Sequence, residues 1–238
     1  LGHDYQEKRI EPGYSHEGAI QQVCTRCGDV ESSEPIPVLN IEDRLADVAN
    51  GQWFTPFIAY CLDEGLMSGQ DEYDGNGREY FRPDSTMTRA ELVTVLYNME
   101  GKPAVEVEPI FNDVAADQWF AEEVTWAAQN GIVFGTSETE FSPNAAISRQ
   151  DLAAILYRYA VDYKGLDLTV EDPEEQLSAY VDVNQIATHG WMPLAALNKA
   201  GVITGDGDRL KPQDSASRGE VASMFNRFIS NVLEAEEA

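Results

Sequence analysis

Internal repetition is the feature that most limits what this chain can fold into. Thr88-Arg89-Ala90-Glu91 opens the apolar run Leu92-Val93-Thr94-Val95-Leu96-Tyr97. Ser148-Arg149-Gln150-Asp151 does the same before Leu152-Ala153-Ala154-Ile155-Leu156-Tyr157, and Ser217-Arg218-Gly219-Glu220 before Val221-Ala222-Ser223-Met224-Phe225. A hydroxyl residue three positions before an acid, just ahead of an apolar run, is a helix start: the hydroxyl accepts from the N3 amide and the acid reaches back to the N-cap amide. That accounts for two of the four positions. The Arg is unexplained, because a cation in the first helical turn opposes the macrodipole. Recurring three times at one offset, it suggests a receptor for a carboxylate or phosphate, built from an Arg fork and the positive end of a helix. The plainer alternative is a surface salt bridge to the neighbouring acid, which contributes little.

The rest of each repeat keeps its own spacing. Repeat one holds Asp47-Val48, Trp53-Phe54, Gly65-Leu66-Met67-Ser68-Gly69 and Phe81-Arg82-Pro83. Repeat two holds Asp113-Val114, Trp119-Phe120, Gly131-Ile132-Val133-Phe134-Gly135 and Phe141-Ser142-Pro143. Repeat three holds Asp182-Val183, Gly201-Val202-Ile203-Thr204-Gly205 and Leu210-Lys211-Pro212. The two glycines are four apart, and the residue before x-Pro stands eight before the Arg. Apolar residues at helical spacing (Phe54, Phe57, Ile58, Cys61 and Leu62; Phe120, Val124, Ala127 and Ala128; Leu194 and Leu197) predict a first helix in each repeat. Gly65, Gly131 and Gly201 stand where a helix C-cap needs positive φ. Each unit therefore reads as helix, loop, helix. A two-helix unit cannot bury its own apolar face, so three are expected to close one core with pseudo-threefold symmetry. The predicted fold class is mainly α, with a small β-hairpin at the N-terminus. The divisions are 1–40, then repeats over 41–104, 105–168 and 169–233, then an acidic tail, 234–238. The connectors 101–110 and 160–179 read as loops or short prongs.

Residues 1–40 carry His3, His16 and Cys24-Thr25-Arg26-Cys27-Gly28. Cys-x-x-Cys followed by Gly is a turn that presents two thiolates to one ion. A structural zinc on His3, His16, Cys24 and Cys27 would supply stability that a segment this short cannot take from a core. The alternative is a hairpin with free or disulfide-linked cysteines. Four protein ligands would leave no open position for catalysis.

Composition narrows the function. With 16 Lys and Arg against 42 Asp and Glu, the formal net charge is −26. Such a chain repels nucleic acid and anionic membranes, and its apolar runs are too short to span a bilayer. It opens on Leu1, as a processed form or a fragment would. Gly-x-Ser-x-Gly, His-Glu-x-x-His and phosphate-loop motifs do not occur, so the expectation is a protein that is not an enzyme. Cys61 falls on an apolar helix face and reads as a buried free thiol. The stretch Glu72 to Gly77 reads as a flexible turn rather than a calcium loop, and His189 as structural.

Taken in order, Asp-Val, Trp-Phe, Gly-Ile-x-x-Gly, Phe-x-Pro and Thr-Arg-Ala-Glu resemble a three-repeat S-layer homology (SLH) region over about residues 41–233. The resemblance implies a three-pronged, mostly helical monomeric pseudo-trimer. It also implies noncovalent anchoring of an exported protein to a secondary cell-wall polysaccharide on a Gram-positive-type surface, commonly a polymer carrying a pyruvate ketal. No cofactor is required for such binding. By position, Arg89, Arg149 and Arg218 would contact the ketal carboxylate. Gly69, Gly135 and Gly205 would let sugar approach the backbone, and Asp47, Asp113 and Asp182 would bond sugar hydroxyls or hold the loop. Trp53 and Trp119 would stack on a pyranose, although packing in the first helix is the plainer reading. Repeat three departs by placing His189 where the Trp would fall, and repeat two by carrying Ser-Arg-Gln-Asp, so the grooves should not be equivalent. Residues 1–40 resemble small Cys/His ribbon modules of Firmicutes surface proteins, with His16 where a Cys is usual. The competing functional class is a structural or self-assembly module that binds no sugar.

Overall fold

A computed structural model of the chain describes residues 2–236. It divides into two units, one ending at Pro83 and the other beginning at Asp84. The division falls inside the first repeat, between its loop and its second helix.

In the first unit, β1 (Tyr5–Ile10), β2 (Gly18–Cys24) and β3 (Val30–Ile36) form an antiparallel sheet in the order β1-β2-β3. Helix α1 (Thr55–Asp63) follows, then the hairpin β4 (Gln70–Tyr73) and β5 (Glu79–Tyr80). The loop after β1 is docked on α1: the Tyr14 and Ser15 amides donate to Asp63 at 2.9 and 2.7 Å. The stretch read as a flexible turn is the tip of the β4–β5 hairpin. Asp74 accepts from the Asn76 and Arg78 amides at 2.8 and 2.9 Å and from Arg78 Nε at 2.8 Å. Those bonds, the Arg78 amide first, hold its carboxyl down at about 2.

The second unit holds α2 (Arg89–Met99), α3 (Ala121–Gln129), α4 (Arg149–Arg158), α5 (Pro173–Gln176), α6 (Trp191–Lys199) and α7 (Arg218–Phe228). Within it α2 packs on α3 and α4 on α6. The core is built on the apolar runs that follow the three helix starts: Leu92, Leu96, Leu152, Leu156, Val221 and Phe225 are buried, with Tyr159 just past α4 and Phe228 at the end of α7. Of the acidic tail, Glu234–Glu236 forms a 3-10 turn, and residues 237 and 238 lie outside the described residues.

The expectation of a mainly helical bundle of helix-loop-helix repeats is corrected by this architecture. The fold is mixed, 36% helical and 15% strand, with seven α-helices and two small antiparallel sheets among the described residues. Two local causes account for the difference. The N-terminal segment forms the expected antiparallel hairpin with a third strand added to it, and the long loop of repeat one closes on Asp74 as a second sheet. The helices other than the four-residue α5 are also short, 9 to 11 residues.

The first helices end as their glycines require. Gly65, Gly131 and Gly201 take φ of 65°, 69° and 73°. In each repeat the amide after that Gly donates to the carbonyl five residues back: Leu66 to Cys61, Ile132 to Ala127 and Val202 to Leu197. This is the Schellman arrangement, and it satisfies carbonyls that the helix end leaves open. Cys61 is buried, and burial pushes its thiol up to about 12.

Candidate anion-binding cleft at the helix starts

The three helix starts are built as their sequences direct. Thr88 and Ser217 accept from the Glu91 and Glu220 amides, and each Glu returns to its cap residue's amide. Ser148 accepts from the Asp151 amide at 3.2 Å, but the shorter Asp does not complete the box. Its Oδ2 accepts from Ser148 Oγ at 2.7 Å instead.

These starts are joined backbone to backbone. The Met87 amide donates to Ala216 O at 3.0 Å, Ala216 to Ile147 O at 3.1 Å, and Ile147 to Met87 O at 2.9 Å, which closes a ring. The next amides are also used. Arg89 and Ala90 donate to Ala145 O and Pro143 O, and Arg149 and Gln150 to Asp214 O and Pro212 O. With N1 and N2 bonded to the following repeat and N3 to the cap hydroxyl, the starts of α2 and α4 offer no free amide among these positions to an anion. Anion binding there must rest on side chains.

The recurrent Arg has a structural task as well. Arg89 donates from Nε to Phe141 O at 2.9 Å and from Nη2 to Phe134 O at 3.1 Å, and lies over the Phe141 ring at 4.8 Å. Arg149 donates from Nε to Leu210 O at 3.0 Å. Each therefore grips the residue before x-Pro in the next repeat. The Asp of that repeat holds the same residue from its amide side. Asp113 accepts from Phe141 and Ser142 (2.8 and 2.7 Å), Asp182 from Leu210 and Lys211 (2.9 and 2.9 Å), and Asp47 from Phe81 and Arg82 (2.8 and 2.7 Å). The second residue of each pair has left-handed backbone: Arg82 at φ 58°, Ser142 at 59° and Lys211 at 54°. A non-Gly residue there is strained by roughly 1–2 kcal/mol, and the carboxylate's paired hydrogen bonds hold it in place.

The second glycines are explained by the chain's own atoms. A Cβ on Gly135 would overlap the Ser137 carbonyl oxygen and lie 2.5 Å from Glu140 O. One on Gly69 would lie 2.5 Å from Glu79 Oε2, and one on Gly205 2.6 Å from Arg209 O.

The tryptophans of the Trp-Phe pairs do not pack in the core. Trp53 and Trp119 are 58% and 60% exposed, while Phe54 and Phe120 beside them are buried. Each indole sits edge-on to its Phe, with centroids 5.3 and 5.1 Å apart.

Pairing with acid separates the three motif arginines. Arg218 Nη1 lies 3.0 Å from Glu91 Oε1, and Arg149 Nη1 3.5 Å from Glu220 Oε1. The corresponding acid for Arg89 is Asp151, one methylene shorter, and it lies 2.9 Å from His189 Nε2 instead. Among the described residues Arg89 makes no ion pair. It opens into a cleft of about 410 Å3 lined by Arg89, Phe134, Gly135, Asp151, Arg158 and His189. Arg158 donates to Ile132 O at 2.8 Å and lies over the Phe134 ring at 5.0 Å. Burial pushes the Arg89 and Arg158 guanidinium groups below their ordinary range. Asp151 opposes the push at both, as do Asp113 at Arg89 and Asp162 at Arg158, while Arg89 adds to it at Arg158. The cleft thus gathers one buried cation, Arg89, and one half-buried cation, Arg158, and neither makes an ion pair among the described residues. Sequence reasoning did not single out Arg158, Phe134 or Asp151 as site residues. Recurrence of Arg at the end of the second helix, as Arg227 in repeat three, is the signal that points to Arg158.

The repeats that build this cleft match the S-layer homology domain over residues 44–93, 110–153 and 180–222, more than half of the chain. The chain belongs to the S-layer homology family. Similar proteins include the Surface-layer 125 kDa protein of Lysinibacillus sphaericus, 32% identical over 74% of this chain and 14% of that protein. The S-layer protein sap of Bacillus anthracis is 25% identical over 79% of this chain and 22% of its own length. An Endoglucanase of Bacillus sp. (strain KSM-635) is 26% identical over 79% and 19%. This SLH chain therefore spans less than a quarter of these relatives. No described helix is long and apolar enough to cross a membrane.

The predicted metal ligands belong to the first unit. His3, Cys24 and Cys27 come together, with all three ligand atoms within 4.8 Å of one another. His16 does not join them: its Nδ1 lies 3.4 Å from Asp63 Oδ2.

Proposed function

We propose that this SLH chain anchors an exported protein to the wall of a Gram-positive-type bacterium by binding an anionic secondary cell-wall polysaccharide. The observation that carries the reading is Arg89, the motif Arg that makes no ion pair among the described residues, where Glu is replaced by the shorter Asp151. A sugar carboxylate of the pyruvate-ketal type supplies the missing charge between Arg89 and Arg158, and His189, Thr136 and Asp151 offer hydrogen bonds to its hydroxyls. Phe134 presents an exposed apolar face in the same cleft, suited to a pyranose ring. Family membership and similarity to surface-layer proteins support placement at the cell surface. Binding needs no chemistry and no cofactor. Arg149 and Arg218, already paired with Glu220 and Glu91, are the weaker contacts.

Cosedimentation with isolated cell walls tests the reading. The parent chain should bind saturably, and Arg89→Ala should weaken binding by roughly tenfold or more, the loss of a charge-assisted contact. Because Arg89 also holds Phe141, circular dichroism must show the variant folded at the assay temperature. A folded Arg89→Ala that sediments like the parent overturns the assignment.

A further inference from the structure

The N-terminal sheet lacks the usual source of stability. Strands β1 and β3 contain no buried residue, and β2 buries only its ends, Gly18 and Cys24. A small sheet needs a hydrophobic face or another constraint to persist. The loop 13–16 is tied to Asp63, but that contact lies at the far end of β1 and β2 from the Cys24 turn.

At the Cys24 end the backbone converges on three ligand atoms. The Gly28 amide donates to Cys24 O at 2.9 Å with Gly28 at φ 77°, which closes the Cys-x-x-Cys turn. The Thr25 amide donates to Asp4 O at 2.9 Å and Arg26 Nη1 to Gly2 O at 3.0 Å, so both flanks of His3 are tied to that turn. The His3 ring stacks on Tyr5 at 5.3 Å, and the Tyr5 hydroxyl donates to Asp29 at 2.7 Å. His3 Nδ1 thereby lies 3.3 Å from Cys27 Sγ. Zinc bonds of about 2.3 Å to sulfur and 2.0 Å to nitrogen set tetrahedral edges of roughly 3.5–3.8 Å. Three ligand atoms within 4.8 Å meet that requirement with small side-chain movements.

We propose that His3 Nδ1, Cys24 Sγ and Cys27 Sγ hold one zinc ion, that His16 is not a ligand, and that the fourth position faces solvent. Its outward direction follows from the exposure of His3 and Cys27 against the burial of Cys24. The ion links the start of β1 to the end of β2 and takes the place of the missing core. With three protein ligands the fourth position is open to water or to an added donor, unlike a closed structural site.

Metal content tests this directly. The reduced full chain is loaded with zinc, dialysed against metal-free buffer and assayed by elemental analysis, alongside His3→Ala, Cys27→Ser and His16→Ala. One zinc per chain is expected in the parent and in His16→Ala, and near zero in the other two. Hydrogen exchange supplies a second readout: chelation should release amide protection in Tyr5–Ile10 and Gly18–Cys24 while leaving α2, α4 and α7 protected. No zinc in the reduced parent overturns the site. Loss of zinc in His16→Ala equal to that in His3→Ala overturns the three-ligand set. Unchanged strand protection on chelation overturns the stabilising role.

Discussion

Asp182→Ala should be among the most damaging single substitutions in the repeats, at about 3–5 kcal/mol. Asp182 is buried, and its carboxylate takes the Leu210 and Lys211 amides at 2.9 Å each. A hydrogen bond to a charged group contributes about 1.5–3 kcal/mol, and Ala would leave both donors stranded. Relaxation of Lys211 out of the left-handed region would return part of this. Melting of the Asp84–Ala238 unit should fall on the order of 10 °C. Asp182→Asn, which keeps one acceptor, should fall by less. Burial raises the pKa of Asp182, but the Leu210 and Lys211 amides and the charge of Arg209 outweigh it, so the folded value lies below the ordinary one. The sign follows: the contribution is complete above about pH 4 and is lost as pH drops through the lowered folded value. The Asp182→Ala penalty should therefore shrink in acid. A melt unchanged at pH 7 would mean that the loop is held by other contacts.

Asp151→Glu tests the cleft without dismantling it. Glu restores the reach that completes the capping box at Thr88 and Ser217 and brings Glu91 and Glu220 to Arg218 and Arg149. In the variant the new carboxylate should leave His189, complete the box at Ser148 and occupy Arg89. Affinity for an anionic sugar should fall about tenfold, because the ligand must displace a charge already in place, while thermal stability stays level or rises. Equal affinity in parent and variant would remove Arg89 from the binding account. No loss of fold can confuse the result, since the change moves the second repeat toward the other two.

What the sequence reveals about this chain divides by distance along it. The cap hydroxyls, the positive-φ glycines and the buried faces of the second helices are local and follow from the residues alone. The cause of the recurrent Arg is not local. Arg89 meets Phe141 52 positions on and Arg149 meets Leu210 61 positions on, so no window of sequence contains both ends. The helix N-terminus looks like an anion receptor until carbonyls of the next repeat fill it. The two departures from the repeat pattern, Asp151 and His189, are each visible in sequence, but only the fold brings them to 2.9 Å. Trp-Phe before a helix does not say which ring turns inward, and here the larger one faces out. The mixed fold class escapes a repeat-based reading because its strands lie in the parts that do not repeat, residues 5–36 and the long first loop.

On the proposed function, this chain holds an anionic wall sugar through its charge. Calorimetric titration of the chain with purified wall polysaccharide, native and with its pyruvate removed, tests that claim most directly. Saturable heat with the native polymer alone, weakening as salt is raised, is the expected result. Equal heat with both polymers would contradict the role of the carboxylate. Heat with neither would contradict sugar anchoring itself and turn attention to self-assembly through the exposed Trp53 and Trp119.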